Sequence, residues 1–326
     1  MNEIILSICI PTYNRAQLLE RCVKSILVSN NRNIEIVISN NASTDNTSEI
    51  LKSLQDSRIK YQSNKINIGA SRNLIKVLKS AKGKWIFILT DDDYLLPGAL
   101  EKIIKTLESK NEIGVFLSGL KVVDCDDKLL FNYNFFERTA KFSSGLDALK
   151  NMVWASHVLS RITIQRQYLT FDGVENHFDS MYPQMWIVGK VLLTHPGFYC
   201  NEYFVAHTTG NIVYWDYTQD YMVGSRIKLI KDLLPGDTWK RERKVLINQL
   251  NWDIANSIIP FIWKKSIRSF LSYKVNILKN REVLFSYYYW GGLGFFLIKT
   301  IYGCVSFLTK TIYGRVSKLL NRNSER

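Results

Sequence analysis

The stretch WIFILTDDDYLLPGAL, Trp85 to Leu100, sets three consecutive aspartates, Asp91, Asp92 and Asp93, at the end of an apolar run. Trp85 to Leu89 reads as a buried strand, and LPGALEKIIKTLES after the acids reads as a helix. Three adjacent carboxylates repel one another unless solvent or a cation relieves them. An acidic turn between strand and helix is therefore a candidate ligand site.

The segments on either side repeat the same alternation. IILSICIPTY is a short β-rich run ending near Pro11, and RAQLLERCVKSIL carries Leu18, Leu19, Cys22, Val23, Ile26 and Leu27 at helical spacing. IEIVISN reads as a second strand, and STDNTSEILKSL opens a helix with capping chemistry in which Asp45 is a candidate cap. RIKYQSN is a third strand, GASRNLIKVLKSAKG a helix closed by Gly83, and IGVFLSGLKVVD a fifth strand or strand pair. Strands alternating with helices predict an α/β fold with a mainly parallel, doubly wound sheet. In such sheets ligands bind beyond the carboxyl ends of the strands, where the aspartates lie. Residues from about 131 to 238 are less regular and read as the part of the same domain that closes the pocket.

The charge is uneven. Residues 240–326 hold 16 Lys/Arg against 4 Asp/Glu, so +12 of the net +14 lies there. Leu284 to Leu308 carries a single charge, Lys299, and KTIYGCVS (Lys299 to Ser306) recurs as KTIYGRVS (Lys310 to Ser317) eleven residues later. Eleven residues are close to three helical turns, so both copies share a face. Residues 239–326 therefore read as a basic, aromatic helical extension made for an anionic membrane surface, with core packing or an oligomer contact as the plainer alternative. Gly291, Gly292, Gly294 and the tyrosines favour a segment lying on the membrane over one spanning it. The aromatic residues are not interleaved with basic ones, which argues against nucleic acid. The opening MNEIILSICIPTYNR lacks a basic leader region and reads as a strand. Cys9, Cys22, Cys125, Cys200 and Cys304 are scattered without metal spacing and are expected as reduced thiols of a cytoplasmic protein.

SICIPTYNR, ISNNASTDNT, NIGASRN and ILTDDDYLLPGAL stand in that order within about a hundred residues. Together they resemble the nucleotide-sugar half of family 2 glycosyltransferases of the GT-A fold, and more narrowly bacterial O-antigen sugar transferases. The resemblance covers roughly residues 5–210, strongly to about 125. It implies a catalytic domain over 1–238, with a nucleotide-sugar half to about 125 and an acceptor half after it. It also implies an inverting, metal-dependent transferase working at the cytoplasmic face of the inner membrane. Its donor would be a nucleotide diphospho-sugar and its acceptor a lipid-pyrophosphate-linked saccharide. A non-catalytic nucleotide-sugar binder or scaffold of the same pathway is the alternative.

By the same resemblance, Pro11, Thr12, Tyr13 and Arg15 contact base and ribose, and Arg72 lies by the donor, where a guanidinium can pair with phosphate. Asn40 stands where the family usually has an aspartate that accepts from the uracil ring N–H. An amide also tolerates the bare ring nitrogen of cytosine, so a cytidine donor is favoured, unless Asn40 only caps a turn. Asp93 is expected to ligate Mn²⁺ or Mg²⁺, with Asp91 or Asp92 on ribose or metal. His207 is a candidate third ligand or phosphate contact, or else a buried hydrogen-bonded histidine. The general base is sought in DGVENHFDSMYPQMW, with Asp179 first and Glu175 second. His177 there is a candidate for orienting the acceptor, and capping of the next helix is the alternative role for Asp179.

Overall fold

The computed structural model describes residues 3–180, 182–209 and 224–253. Their packing divides the chain into two compact units, Met1–Trp215 and Asp216–Arg326.

The first unit begins with β1 (Leu6–Thr12), α1 (Ala16–Leu27), β2 (Ile34–Asn40), α2 (Thr47–Ser53), β3 (Ile59–Ser63), α3 (Ala70–Ser80) and β4 (Trp85–Ile88). The two-residue β5 (Tyr94–Leu95) and α4 (Ala99–Glu108) follow. Then come β6 (Val115–Val123), β7 (Leu129–Tyr133), β8 (Ala140–Phe142), α5 (Leu146–Met152), β9 (Ile162–Gln165), α6 (Pro183–Thr194) and β10 (Gly197–Thr208). The strands form one sheet in the order β3-β2-β1-β4-β9-β6-β10-β5, with β7 on β6 and β8 on β10.

β1, β2, β3 and β4 pair in parallel, as the βα alternation requires. Beyond β4 the sheet is mixed. β9 enters antiparallel between β4 and β6, and β10 runs parallel to β6. β1 and β2 are buried on both faces, so their side chains make near-continuous apolar runs, and α1 adds Leu19, Cys22, Val23 and Ile26 to the same core. α6 is buried nearly all round, from Pro183 to Leu192, and explains the unbroken apolar stretch there.

Gly83 does not cap α3, which ends at Ala81 in an extended conformation. A Cβ at Gly83 would lie 2.7 Å from the Ser7 nitrogen and 2.9 Å from the Leu6 carbonyl carbon. The glycine is there because β1 passes too close for a side chain. Gly83→Ala is expected to lower stability by about 2 kcal/mol, measured as a drop in the urea midpoint at constant m.

In the second unit the described elements are α7 (Gly224–Leu233) and α8 (Lys240–Asp253). They bury Ile227, Ile230, Leu233, Leu246 and Leu250, and Arg243 donates to the Leu234 carbonyl at 2.6 Å. Among the described residues no helix is long and apolar enough to cross a membrane. The apolar run 284–308, the repeated octapeptide and Cys304 lie outside the described residues. Cys9, Cys22 and Cys200 are buried thiols and Cys125 is an exposed one.

Candidate functional site

The acidic turn joins β4 to β5, two strands separated in the sheet by β9, β6 and β10. The Asp93 amide donates to the Thr90 carbonyl at 3.1 Å, closing the turn just past the carboxyl end of β4. The three carboxylates then go three ways. Asp91 is buried and Asp92 is partly open, and the Arg15 guanidinium reaches both: Nη1 lies 3.0 Å from Asp91 Oδ1 and 2.7 Å from Asp92 Oδ2. Asp93 is completely enclosed. Its Oδ1 accepts the Thr208 amide at 2.8 Å, its Oδ2 accepts the Thr90 hydroxyl at 2.9 Å, and His207 Nδ1 lies 3.0 Å away. Register shifts in β10 around Tyr203 bend that strand before His207 and Thr208.

The electrostatics follow from this arrangement. Burial pushes the Asp91 carboxyl up to about 6, against the opposing pull of Arg15 and with a further push from Asp92. Burial and then Asp93 push Asp92 up as well, again opposed by Arg15. Burial alone would lower His207, but the charge and hydrogen bond of Asp93 outweigh it and hold the imidazole above its ordinary range.

The other residues of the crevice are laced together by polar side chains. Asn14, at φ +52°, accepts the Thr44 amide at 2.8 Å and donates its own amide to the Ser43 hydroxyl at 2.9 Å. Asp45 accepts the Ala16 amide at 3.0 Å and the Thr47 amide at 3.1 Å, so it caps the first turns of both α1 and α2. Thr12 is buried at the end of β1, and Tyr13 is exposed beyond Pro11. Asn40 is buried at the end of β2. Its oxygen accepts the Ser43 amide at 3.0 Å, while its Nδ2 makes only long contacts, 3.4 Å to the Ser63 hydroxyl and 3.5 Å to that of Ser48.

Arg72 is exposed at the start of α3 and stacks on Phe178 at 5.0 Å, and the neighbouring Ser71 hydroxyl donates to the Ser180 carbonyl at 3.2 Å. These two contacts bring segment 178–180, with exposed Asp179, to the α3 end of the crevice. At the start of α6 the Tyr182 amide donates to the Ser180 hydroxyl at 3.0 Å. Glu175 is exposed in a short 3₁₀ turn, and His177 is buried and stacked on Trp186 at 4.5 Å.

Asp93 and His207, expected as cation ligands, lie side by side at the ends of β4 and β10, with His207 Nδ1 3.0 Å from Asp93 Oδ2. Asp91 and Asp92 fit a hard cation better, since they already share one positive group, the Arg15 guanidinium. Among the described residues no three His, Cys, Asp or Glu side chains form a ready cage. A nucleotide-bound Mg²⁺ does not need one, because phosphates and water complete its shell.

Sequence reasoning missed Arg21, Ser160 and Thr208. The Ser160 hydroxyl lies 2.8 Å from that of Thr90 and accepts the Thr90 amide at 2.9 Å. None of the three carries a local signal, because their partners are remote in the chain.

The family 2 glycosyltransferase model ("Glycosyl transferase family 2") matches residues 7–168. An abequosyltransferase of Salmonella typhimurium is 36% identical over 128 residues, 38% of this chain and 38% of that protein. A GalNAc(5)-diNAcBac-PP-undecaprenol beta-1,3-glucosyltransferase of Campylobacter jejuni is 39% identical over 103 residues, 31% of this chain and 33% of that protein. The chain thus spans little more than a third of these curated relatives. In fold, S. aureus TarS in complex with UDP-GlcNAc superposes with a TM-score of 0.65 at 15% identity, over 84% of this chain and 80% of that one. A Pyrobaculum calidifontis mannosyltransferase in complex with GDP-Man and Mn²⁺ superposes with a TM-score of 0.54 at 14% identity, over 91% and 88%. The fold is that of the GT-A glycosyltransferases, and the chain belongs to glycosyltransferase family 2.

Proposed function

We propose that the protein is an inverting glycosyltransferase. It moves a sugar from a nucleotide diphospho-sugar to a lipid-pyrophosphate-linked saccharide in bacterial surface polysaccharide synthesis. The observation that carries this reading is the pair Asp91 and Asp92, bridged by Arg15, at the carboxyl end of β4 and beside the Pro11–Arg15 loop.

In this reading Thr12, Tyr13 and Asn40 hold the nucleoside, and Arg15 and Arg72 face the diphosphate. Asp92, with Asp91, would hold Mn²⁺ or Mg²⁺. Such an ion, when bound, neutralises charge on the leaving diphosphate. Asp179, or Glu175 in second place, takes the proton of the acceptor hydroxyl. The freed oxygen forms the new bond at the anomeric carbon from the face opposite the diphosphate. The bond to the diphosphate oxygen breaks with its electron pair, and the nucleoside diphosphate departs. The catalytic domain is read as residues 1–238, and residues 239–326 as a basic extension that rests on the cytoplasmic face of the inner membrane near the acceptor.

The orientation of Asn40 supports a cytidine donor. Its oxygen is tied to the Ser43 amide, which leaves the N–H end, with its two long contacts, to face a base. That donor suits the bare N3 of cytosine and opposes the N3–H of uracil. The test is calorimetry with CDP and UDP in the presence of Mn²⁺, followed by turnover with a panel of nucleotide sugars. CDP is expected to bind about tenfold more tightly. Tighter UDP binding overturns the cytidine assignment, and no binding of any nucleoside diphosphate overturns the transferase reading. Truncation after Arg281 is expected to move the protein from the membrane to the soluble fraction while donor binding persists. Retained membrane association refutes the role of the extension.

A further inference from the structure

Arg21, on α1, joins four parts of the chain through one guanidinium. Its Nη2 donates to the Asp92 carbonyl at 2.7 Å and to the Thr208 hydroxyl at 2.8 Å. Its Nη1 pairs with Asp127 Oδ1 at 2.7 Å, and the plane stacks on the Tyr94 ring at 4.7 Å. Asp127 lies in the β6–β7 turn at φ +60°, a left-handed position that aspartate adopts more readily than most residues. Arg21 therefore touches the backbone of the acidic turn, the end of β10 and the β6–β7 turn at once. It touches none of the carboxylate oxygens of the triplet.

The acidic turn needs such a tie. Like charges in a row push it toward conformations that spread the carboxylates apart. Asp93 anchors one end of the turn through His207 and Thr208, and Arg15 bonds the Asp91 and Asp92 side chains from the front. The carbonyl of Asp92 is the point between them, and Arg21 is the group that holds it. We propose that Arg21 is a positioning residue: it fixes the Asp92 backbone against β10 so that the Asp92 carboxylate is presented to the cation of the donor. The proposal rests on the transferase reading above. A lysine cannot replace it, because a single ammonium has neither the planar fork nor the stacking face that meets these partners.

The test uses the full-length chain and two probes, Mn²⁺ together with UDP or CDP, and UDP or CDP without metal. Free aquo-Mn²⁺ is counted by its paramagnetic resonance signal, and metal-free nucleotide binding by calorimetry. Arg21→Lys and Arg21→Gln are expected to weaken Mn²⁺ binding by about tenfold, the usual effect of losing an outer-sphere orienting group. Metal-free nucleotide affinity is expected to stay within twofold of wild type, since the nucleoside cradle does not touch Arg21. Asp127→Asn removes the outer ion pair and the carboxylate that Tyr94 also meets, tests the same arm if the Arg21 variants fail to fold, and is expected to weaken Mn²⁺ binding by about twofold. Unchanged Mn²⁺ affinity in folded variants overturns the role. So does an equal loss of Mn²⁺ and nucleotide binding, which marks a general structural tie. Wild-type protein that takes up no Mn²⁺ with either nucleotide overturns the metal reading itself, and the role of Arg21 with it.

Discussion

Asp92→Asn is expected to lower sugar transfer by about a thousandfold and to leave the fold intact. Three observations set the size and direction. Asp92 is the acid of the triplet with the most open side chain, 17% exposed against 6% for Asp91 and none for Asp93. Its interaction with Arg15 shows that it can present an oxygen to a positive group in the crevice. Its carboxyl is pushed up by burial and by Asp93, so its charge is held in the fold at a cost. A carboxyl raised in this way destabilises the protein above its folded pKa, and the penalty lifts as pH falls through it. Replacing it with a neutral isostere therefore leaves stability at pH 8 unchanged or higher by about 1 kcal/mol. The checks are turnover with the best donor of the panel, Mn²⁺ uptake, and urea unfolding at pH 8. A variant that keeps wild-type turnover removes Asp92 from the chemistry.

Much of the frame is legible in the sequence, and the reason is local. β1, β2 and β4 are buried on both faces, so they read as short unbroken apolar runs, and α1, α3 and α4 carry their core residues on one stripe. The position of the acids at a strand end follows from those same runs. Past residue 131 the signal fades, because the pairing of β9 between β4 and β6 is a long-range choice that no short pattern records. The distribution of roles within the triplet is hidden for the same reason. Asp92 and Asp93 are the same residue type side by side. What separates them is a strand 114 and 115 residues further on, which buries Asp93 under His207 and Thr208. Arg21 is hidden more deeply still, with partners 71, 106 and 187 residues away. Resemblance points to an acidic cluster that serves a cation; only packing says which acid faces outward.

Asp93→Asn is expected to act in the opposite manner, through stability first. The carboxylate is wholly enclosed and meets a backbone amide, a hydroxyl and an imidazole. An asparagine of the same shape keeps one acceptor oxygen, places an N–H against the remaining donors and removes the countercharge of His207. Breaking a buried pair of this sort costs about 3 kcal/mol. The pH dependence has a definite sign. His207 is held above its ordinary range by Asp93 despite the opposing effect of burial. Its contribution is therefore complete below the unfolded histidine value and is lost as pH rises through the folded one. The destabilisation measured by urea unfolding should be larger at pH 6 than at pH 9. A variant that is as stable as wild type at both pH values, yet has lost Mn²⁺ binding, would return Asp93 to the coordination sphere and make the enclosed geometry irrelevant to its role. A variant that is unstable but recovers Mn²⁺ uptake when kept folded at low temperature fixes Asp93 as the anchor that ties the acidic turn to β10, and leaves Asp92 to meet the cation.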